Sequence, residues 1–266
     1  MTLVIKIGGE AVEAPRQRRN LARQIAELHQ RGHQVVVVHG GGKLLTATLE
    51  RLGIPTRFHR GLRVTDAATR DVAVMVLAGI VNKQWVAELQ QQGVPALGIS
   101  GGDAGLIAAR KLRLGARDRS GKLGFVGRPR SVDTRILKVA FRERIVPVVA
   151  SVALGPQGEY LNVNADEFAS AIAVALRADR LFYLTEAGGV WDADRHLLPV
   201  VRLSEIPELI EAGVVRDGMI PKLESCADTL RQSVGEIDIL SPDVPNVLVQ
   251  ALEKVVRGGT RIVKAA

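Results

Sequence analysis

Apolar runs of strand length recur along the chain, and each stops at glycine or at charge. They stand at 2–9, 35–39, 94–99, 145–149, 181–185, 237–240 and 260–263. Between them, apolar positions fall three and four apart, the spacing of a helix with one buried face. That spacing predicts helices from Pro15 to Arg31, from the glycines at 40–42 to about Gly53, and from a Thr65 or Asp66 cap to about Gln92. Further helices are expected from about Asp133, from an Asn164 cap to about Arg177, over 204–213, from Gly218 to about Gln232 and near 245–256. Residues 54–66 suit a hairpin, 192–202 a loop, and the basic, glycine-containing stretch 106–128 a β-hairpin able to act as a flap. Strands alternating with helices give an α/β three-layer sandwich with a mostly parallel open central sheet.

Several strands end in glycines, and open α/β sheets place ligands at the C-terminal ends of their strands. The clearest case is Val35-Val-Val-Val-His-Gly-Gly-Gly-Lys-Leu-Leu-Thr46. Glycine lets the backbone turn sharply and come close to a ligand, with amide N–H groups aimed at negative charge. A tight turn without a ligand would need fewer glycines, so an anion cradle is favoured. It is neither of two better-known phosphate motifs. Leu45 stands where a dinucleotide fingerprint needs a small residue, and Leu44 where a Walker A loop needs Ser or Thr.

Other positions stand out chemically. Lys6 lies in an apolar strand just before Gly8 and Gly9, which suits a cation held beside a glycine turn. Asn162, Asn164 and Asp166 stand two apart at a helix start, where a cap is sufficient explanation and a polar binding set is another. Lys222 lies near the start of a helix, against the dipole preference, and such conflicts tend to mark sites. Arg63, beside Gly61, is either a surface arginine or a fork for a carboxylate.

Composition narrows the classes. The chain has 266 residues with 47% hydrophobic content, ample for a core. Apolar runs are strand-sized and the start lacks a basic leader, so a cytoplasmic protein without membrane contact is expected. Cys226 is the single cysteine and suits a small buried hydrophobe. A net charge of +8 raises nucleic acid as a partner. Aromatics are only 3% of residues and no basic run interleaves with rings, so nucleic-acid binding is not expected.

The chain resembles the amino-acid kinase family over essentially its whole length. The resemblance rests on Ile5-Lys-Ile-Gly-Gly9, His39-Gly-Gly-Gly42, Gly61-Leu-Arg-Val-Thr-Asp66, Leu77-Ala-Gly-Ile-Val-Asn-Lys83, Gly124-Phe-Val-Gly127, Asn162-Val-Asn-Ala-Asp166 and Gly218-Met-Ile-Pro-Lys222, in the family's order. It implies phosphorylation of the γ-carboxylate of N-acetyl-L-glutamate by ATP, with Mg²⁺ bound through the nucleotide phosphates. By the same resemblance Lys6 and Lys222 neutralise the phosphoryl group in transfer and Asp166 holds both ammonium groups. Gly8, Gly9, Gly41 and Gly42 line the path, the latter two also touching the substrate. Gly61, Arg63, Asn162 and Asn164 would serve the amino-acid side. Thr185, Glu186, Gly188, Gly189, Val214, Arg216 and Gly218 would serve ATP. Residues 1–178 would form a lobe for the amino acid and for dimerisation, and 179–266 an ATP lobe, on one continuous sheet. Glu186 departs from the family's usual Asp, Gly188 from Pro or Ser, and Phe168 from a smaller residue. Only Met1 precedes the first strand, which leads us to expect a homodimer not inhibited by arginine. Two alternatives stay open: a kinase for a carrier-linked α-aminoadipate or glutamate, and a silent binding protein on the same fold.

Overall fold

The computed structural model describes residues 1–113, 123–192, 194–215, 219–253 and 258–264. The first part builds β1 (Thr2–Ile7), α1 (Pro15–Gln30), β2 (Gln34–His39), α2 (Gly42–Arg51), β3 (Phe58–His59), β4 (Leu62–Arg63), α3 (Ala67–Ala73), α4 (Asn82–Gln91) and β5 (Ala96–Ser100). It continues with β6 (Ile107–Lys111), β7 (Val126–Val132), α5 (Arg135–Arg142), β8 (Val146–Ala150), β9 (Val152–Leu154) and β10 (Tyr160–Val163). The rest adds α6 (Ala165–Leu176), β11 (Arg180–Leu184), β12 (Val200–Arg202), α7 (Ile206–Glu211), α8 (Met219–Gln232), β13 (Glu236–Leu240), α9 (Val247–Leu252) and β14 (Gly259–Val263).

Eight strands form one sheet in the order β12-β14-β13-β11-β1-β2-β8-β5. Every pairing in it is parallel except β13 with β14. The expected mostly parallel sheet is therefore present. Strand alternation splits the core between the two faces. Leu3, Ile5 and Ile7 of β1 join α1 and the long helix of 67–91, while Val4 joins α6 and α8. Lys6 shares the parity of Val4, so the strand's period of two carries its side chain to the α6–α8 side.

Three expectations are corrected. The hairpin expected over 106–128 is present, β6 pairing antiparallel with β7, but its described arms are two walls of a closed barrel, β10-β7-β6-β9. Strands β9 and β10 were not anticipated, because each is too short to show a period; they pair with each other and, farther off in the chain, with β6 and β7. The tip, 114–122, lies outside the described residues. The stretch 192–202, expected as a loop, contributes the edge strand β12.

The third correction concerns the apolar runs. Ala67–Gln91 is one helix of 25 residues with a mean hydropathy of 1.4 in its most apolar window, long and apolar enough by length and composition to cross a membrane. Half of that window is buried inside the fold. Val76, Leu77, Val81, Trp85 and Leu89 belong to the core, so the helix is packed as a core element. Its middle, Val74–Val81, is a π-helix. Asp66 caps the start, its Oδ1 accepting from the Thr69 N–H at 2.8 Å.

Candidate active site

The site is assembled where β1 ends. Parallel pairing sets Lys6 beside Val38 of β2 and Tyr183 of β11, so the turns that follow all three strands emerge side by side. Beyond Lys6 the Gly8 N–H donates to the Leu184 carbonyl at 3.2 Å. A side chain on Gly8 would collide with the Lys6 ammonium, which lies over that glycine.

Asp166 comes from the first turn of α6. Asn164 caps that helix, its Oδ1 accepting from the Asp166 and Glu167 N–H groups at 2.8 and 3.2 Å. The cap turns the Asp166 carboxylate to a point between two ammonium groups. Lys6 Nζ lies 2.7 Å from Oδ1, and Lys222 Nζ, from the first turns of α8, donates to Oδ2 at 2.6 Å. Burial alone would raise the Asp166 carboxyl, but Lys6 and then Lys222 outweigh it and hold it well below the usual carboxylate range. Lys222 also lies 5.1 Å above the Tyr183 ring. Tyr183 is fixed by a 2.6 Å hydrogen bond with Ser170, and burial pushes its hydroxyl well above its ordinary value. The orientation of Lys222 against the helix dipole is thereby explained: its partner lies on another helix.

On the other side of Lys6, β2 delivers the Gly40-Gly41-Gly42 turn. His39 is fully buried, its Nδ1 bonded to the Gly40 carbonyl at 2.8 Å and its Nε2 to the Asn82 amide at 3.1 Å. That pairing assigns a neutral ring donating to Gly40 and accepting from Asn82. Burial lowers the His39 ring from 6.5 to about 4. Gly41 has φ of 144°, and a Cβ there would lie 2.9 Å from Leu77 and 3.0 Å from Val81. Only glycine lets the turn lie so close to the π-helix. At the start of α2, Glu13 accepts from the Leu44 N–H at 2.6 Å.

Beside this turn lies a cavity of about 200 Å³. Its lining includes Gly41, Gly42, Gly61, Arg63, Asn162 and Asn164, so the residues expected on the amino-acid side come together. Arg63 reaches in under the β3–β4 hairpin. Its guanidinium donates to the Gly42 carbonyl at 3.0 Å and to the Thr46 and Thr56 hydroxyls at 2.7 and 3.3 Å, and it stacks 4.8 Å from the Phe58 ring. Arg63 is buried and has no carboxylate partner among the described residues. A guanidinium withheld from water and from carboxylates is a receptor for one. Asn162 donates to the Thr65 hydroxyl at 3.3 Å.

The remaining expected positions divide. The Thr185–Gly189 turn follows β11, and the Thr185 N–H donates to the Leu240 carbonyl at 3.0 Å. Glu186 lies against Gly9, and Gly188 and Gly189 shape the turn, the latter packed on Leu197 and Thr260. Val214 stands in the turn after α7, whereas Arg216 and Gly218 lie outside the described residues. Sequence reading did not single out Phe58 or Ser151 and gave no role to Leu77 or Val126 within their motifs, yet all four complete the cavity wall. They are apolar or small residues without chemical signature, and only the fold brings them together. A wider groove of about 800 Å³ runs from Asp166 and Lys222 along α6, α8 and β7. Phe168, bulkier than usual in the family, fits because Gly101 faces it, where a Cβ would lie 2.9 Å from the ring. Cys226 is fully buried beneath the site, and burial pushes its thiol up to about 12.

The donor set suits a polyphosphate. The Lys6 ammonium lies over Gly8 and meets Lys222 at Asp166, and no group of three acidic, histidine or cysteine side chains that would hold a metal by itself occurs among the described residues.

Comparison with known proteins places the chain in a family. The acetylglutamate kinase of Koribacter versatilis is 45% identical over 263 residues, covering 99% of both chains. A crystal structure of a Streptococcus mutans protein superposes with a TM-score of 0.78 at 30% identity, over 98% of each chain. The N-acetylglutamate synthase of Neisseria gonorrhoeae, solved with coenzyme A and N-acetyl-glutamate, gives a TM-score of 0.86 at 26% identity over all of this chain and 60% of its own. The family model described as amino acid kinase matches residues 1–241, and the chain belongs to the amino acid kinase family.

Proposed function

We propose that this kinase transfers the γ-phosphoryl group of ATP to the γ-carboxylate of N-acetyl-L-glutamate, giving N-acetyl-L-glutamyl 5-phosphate for arginine biosynthesis. The observation that carries the reading is the carboxylate-free Arg63 in a small cavity that abuts the Lys6–Asp166–Lys222 cluster. The relatives named acetylglutamate kinase, 41–45% identical over nearly the whole chain, support the same substrate.

The mechanism follows from charge. The acceptor is a carboxylate already ionised near pH 7, so no general base is required. Arg63 binds the α-carboxylate, Gly61, Asn162 and Asn164 line the amino-acid end, and the Gly41 and Gly42 amides hold the γ-carboxylate beside the path. Lys6 and Lys222 exchange part of their contact with Asp166 for the transferring oxygens, and Asp166 keeps both ammonium groups in register. Gly8 and Gly9 let the phosphates approach the backbone. Catalysis of this kind depends on positioning and electrostatic stabilisation. Mg²⁺ carried on the nucleotide would neutralise further phosphate charge. Thr185, Glu186, Gly188, Gly189, Val214, Arg216 and Gly218 are assigned to the nucleotide side, the last two and Val214 from the family resemblance alone. We also assign residues 1–178 to the amino-acid lobe and 179–266 to the ATP lobe. A cytoplasmic homodimer completes the proposal, and the exposed Met75 and Ile80 on the long helix support a partner there. Light scattering tests the dimer.

The deciding assay is ATP-dependent acyl phosphate formation, trapped with hydroxylamine, on N-acetylglutamate, glutamate and N-succinylglutamate. Turnover of N-acetylglutamate without any carrier protein, abolished in Lys222→Ala, is expected. Absence of turnover on all three would remove the proposal in favour of the carrier-linked acceptor, to whose acidic carrier the net charge of +8 is suited.

A further inference from the structure

One ion pair spans the cleft between the two ligand-facing turns. Lys43 is the second residue of α2, directly after the Gly40–Gly42 turn, and Glu186 lies in the turn after β11, 143 positions away. Lys43 Nζ donates to Glu186 Oε1 at 2.8 Å, and both side chains are about half exposed, at 51% and 56%. An ion pair this exposed contributes little to folding stability and opens readily.

Its position is what matters. A methyl group on Gly9 would lie 2.7 Å from Glu186 Oε1, so the carboxylate is laid against that glycine. The preceding residue, Gly8, carries the Lys6 ammonium in the same manner. Glu186 thus puts a negative charge on the glycine turn next to the cations, where a phosphate would meet the backbone. Aspartate, one methylene shorter, would reach less far across from the same position.

We propose that the Glu186 carboxylate is a built-in placeholder for a nucleotide phosphate, and that Lys43 changes partner from Glu186 to that phosphate when nucleotide arrives. Lys43 is then a third ammonium on the transfer path, beside Lys6 and Lys222. The inference rests on the kinase reading above and specifies how the site meets ATP. Two anions cannot share the Gly9 backbone at close range without strong repulsion, so the multiply charged phosphate displaces the single carboxylate. The freed Lys43 keeps its charge satisfied by following the larger anion. The exchange also moves the 186–191 turn.

That turn carries its own reporter. The chain has two tryptophans. Trp85 is fully buried in the core, whereas Trp191 is 45% exposed and donates to the Ala187 carbonyl at 2.8 Å. Emission from Trp191 therefore follows the turn.

The test titrates the full chain with Mg²⁺ and a non-hydrolysable ATP analogue, read by calorimetry and by Trp191 fluorescence, for the parent, Lys43→Met, Lys43→Arg and Glu186→Gln. Lys43→Met should weaken analogue binding about tenfold, with a smaller effect on MgADP, as expected for loss of one charge-assisted contact. Lys43→Arg should restore most of it. Glu186→Gln should tighten binding and shift the emission of the free protein toward that of the bound parent. Thermal unfolding should be unchanged in all three, since the pair is exposed. If the parent binds the analogue and both Lys43→Met and Glu186→Gln bind it equally well with the same emission change, the placeholder is overturned and the kinase reading survives. A parent chain that binds no nucleotide overturns both.

Discussion

Among the described residues, Asp166 and Asp238 are both clamped between two cations, and they differ in exposure, in the chemistry of those cations and in the balance of burial against charge. Asp166 sits between Lys6 and Lys222 at 2.7 and 2.6 Å, with 26% of its side chain exposed. Asp238 of β13 sits between Arg180 of β11 and Arg261 of β14 at 3.0 and 2.8 Å and is wholly enclosed. In the second cluster the guanidinium groups also bond the Ala251 carbonyl, and Glu236 lies in an ion pair with Arg180 at 2.8 Å. Burial raises the Asp238 carboxyl despite its two arginines, whereas at Asp166 the lysines prevail over burial. Arginine's planar fork locks a carboxylate in one geometry, while an ammonium is a point charge that can turn to a new partner. Two cations around a carboxylate therefore do not define a site; access and freedom to change partner do.

Removing each aspartate or cation should separate the two regions. The largest effect on folding is expected for Asp238→Ala, which strands two buried guanidinium groups. Breaking a buried pair costs about 3–5 kcal/mol, and urea denaturation measures it. A loss below about 1 kcal/mol would place this cluster with ordinary surface pairs. Lys222→Met should leave the unfolding midpoint nearly unchanged and lower kcat about a hundredfold to a thousandfold, the usual effect of deleting one transition-state donor. If stability fell in proportion to activity, the distinction between the clusters would collapse.

Acid probes the glycine turn that follows β2. Folding lowers the His39 ring from 6.5 to about 4. The folded protein holds His39 neutral, so as pH falls below 6.5 the unfolded chain takes up a proton that the native state refuses. Stability from this group is full above 6.5, declines on acidification and levels off near 4, a total of about 3 kcal/mol. Urea midpoints measured across that window should slope less in His39→Gln. An equal slope would mean that the ring is not held neutral by its surroundings. The smallest effect is expected at the cap: Asn164→Ala should cost about 1 kcal/mol. It should also lower activity more than a cap alone explains, because Asp166 would lose its aim. A variant of normal kcat would show that Asp166 is positioned by its lysines and not by the helix start.

Much of this was legible in the sequence. Lys6 inside an apolar strand, three glycines in a row after β2 and the misplaced charge of Lys222 each depart from a local rule, while the Asn164 cap follows one. Such conflicts can be seen residue by residue, and they marked three of the elements that meet at the site. What stayed hidden depends on distant pairing. Strands β9 and β10 are too short to show a period, and they close a barrel only because β6 and β7 are beside them. The apolar composition of 67–91 indicates a helix but does not reveal that Val74–Val81 is wound more loosely. Phe58 and Leu77 look like ordinary hydrophobes until the hairpin and the π-helix bring them to one cavity. The ion pair of Lys43 with Glu186 joins residues that no local pattern connects.

The division of labour between the sheet and the barrel bears on ancestry. The cavity proposed for the acceptor draws Val126, Asn162 and Val163 from barrel strands and Phe58, Leu62 and Arg63 from the hairpin, while Lys6 belongs to the middle of the eight-stranded sheet. Substitutions in those short, peripheral strands would therefore alter the choice of acceptor without touching the strand that carries Lys6. Novelty in a lineage of such proteins is expected to accumulate at the rim and conservatism at the centre.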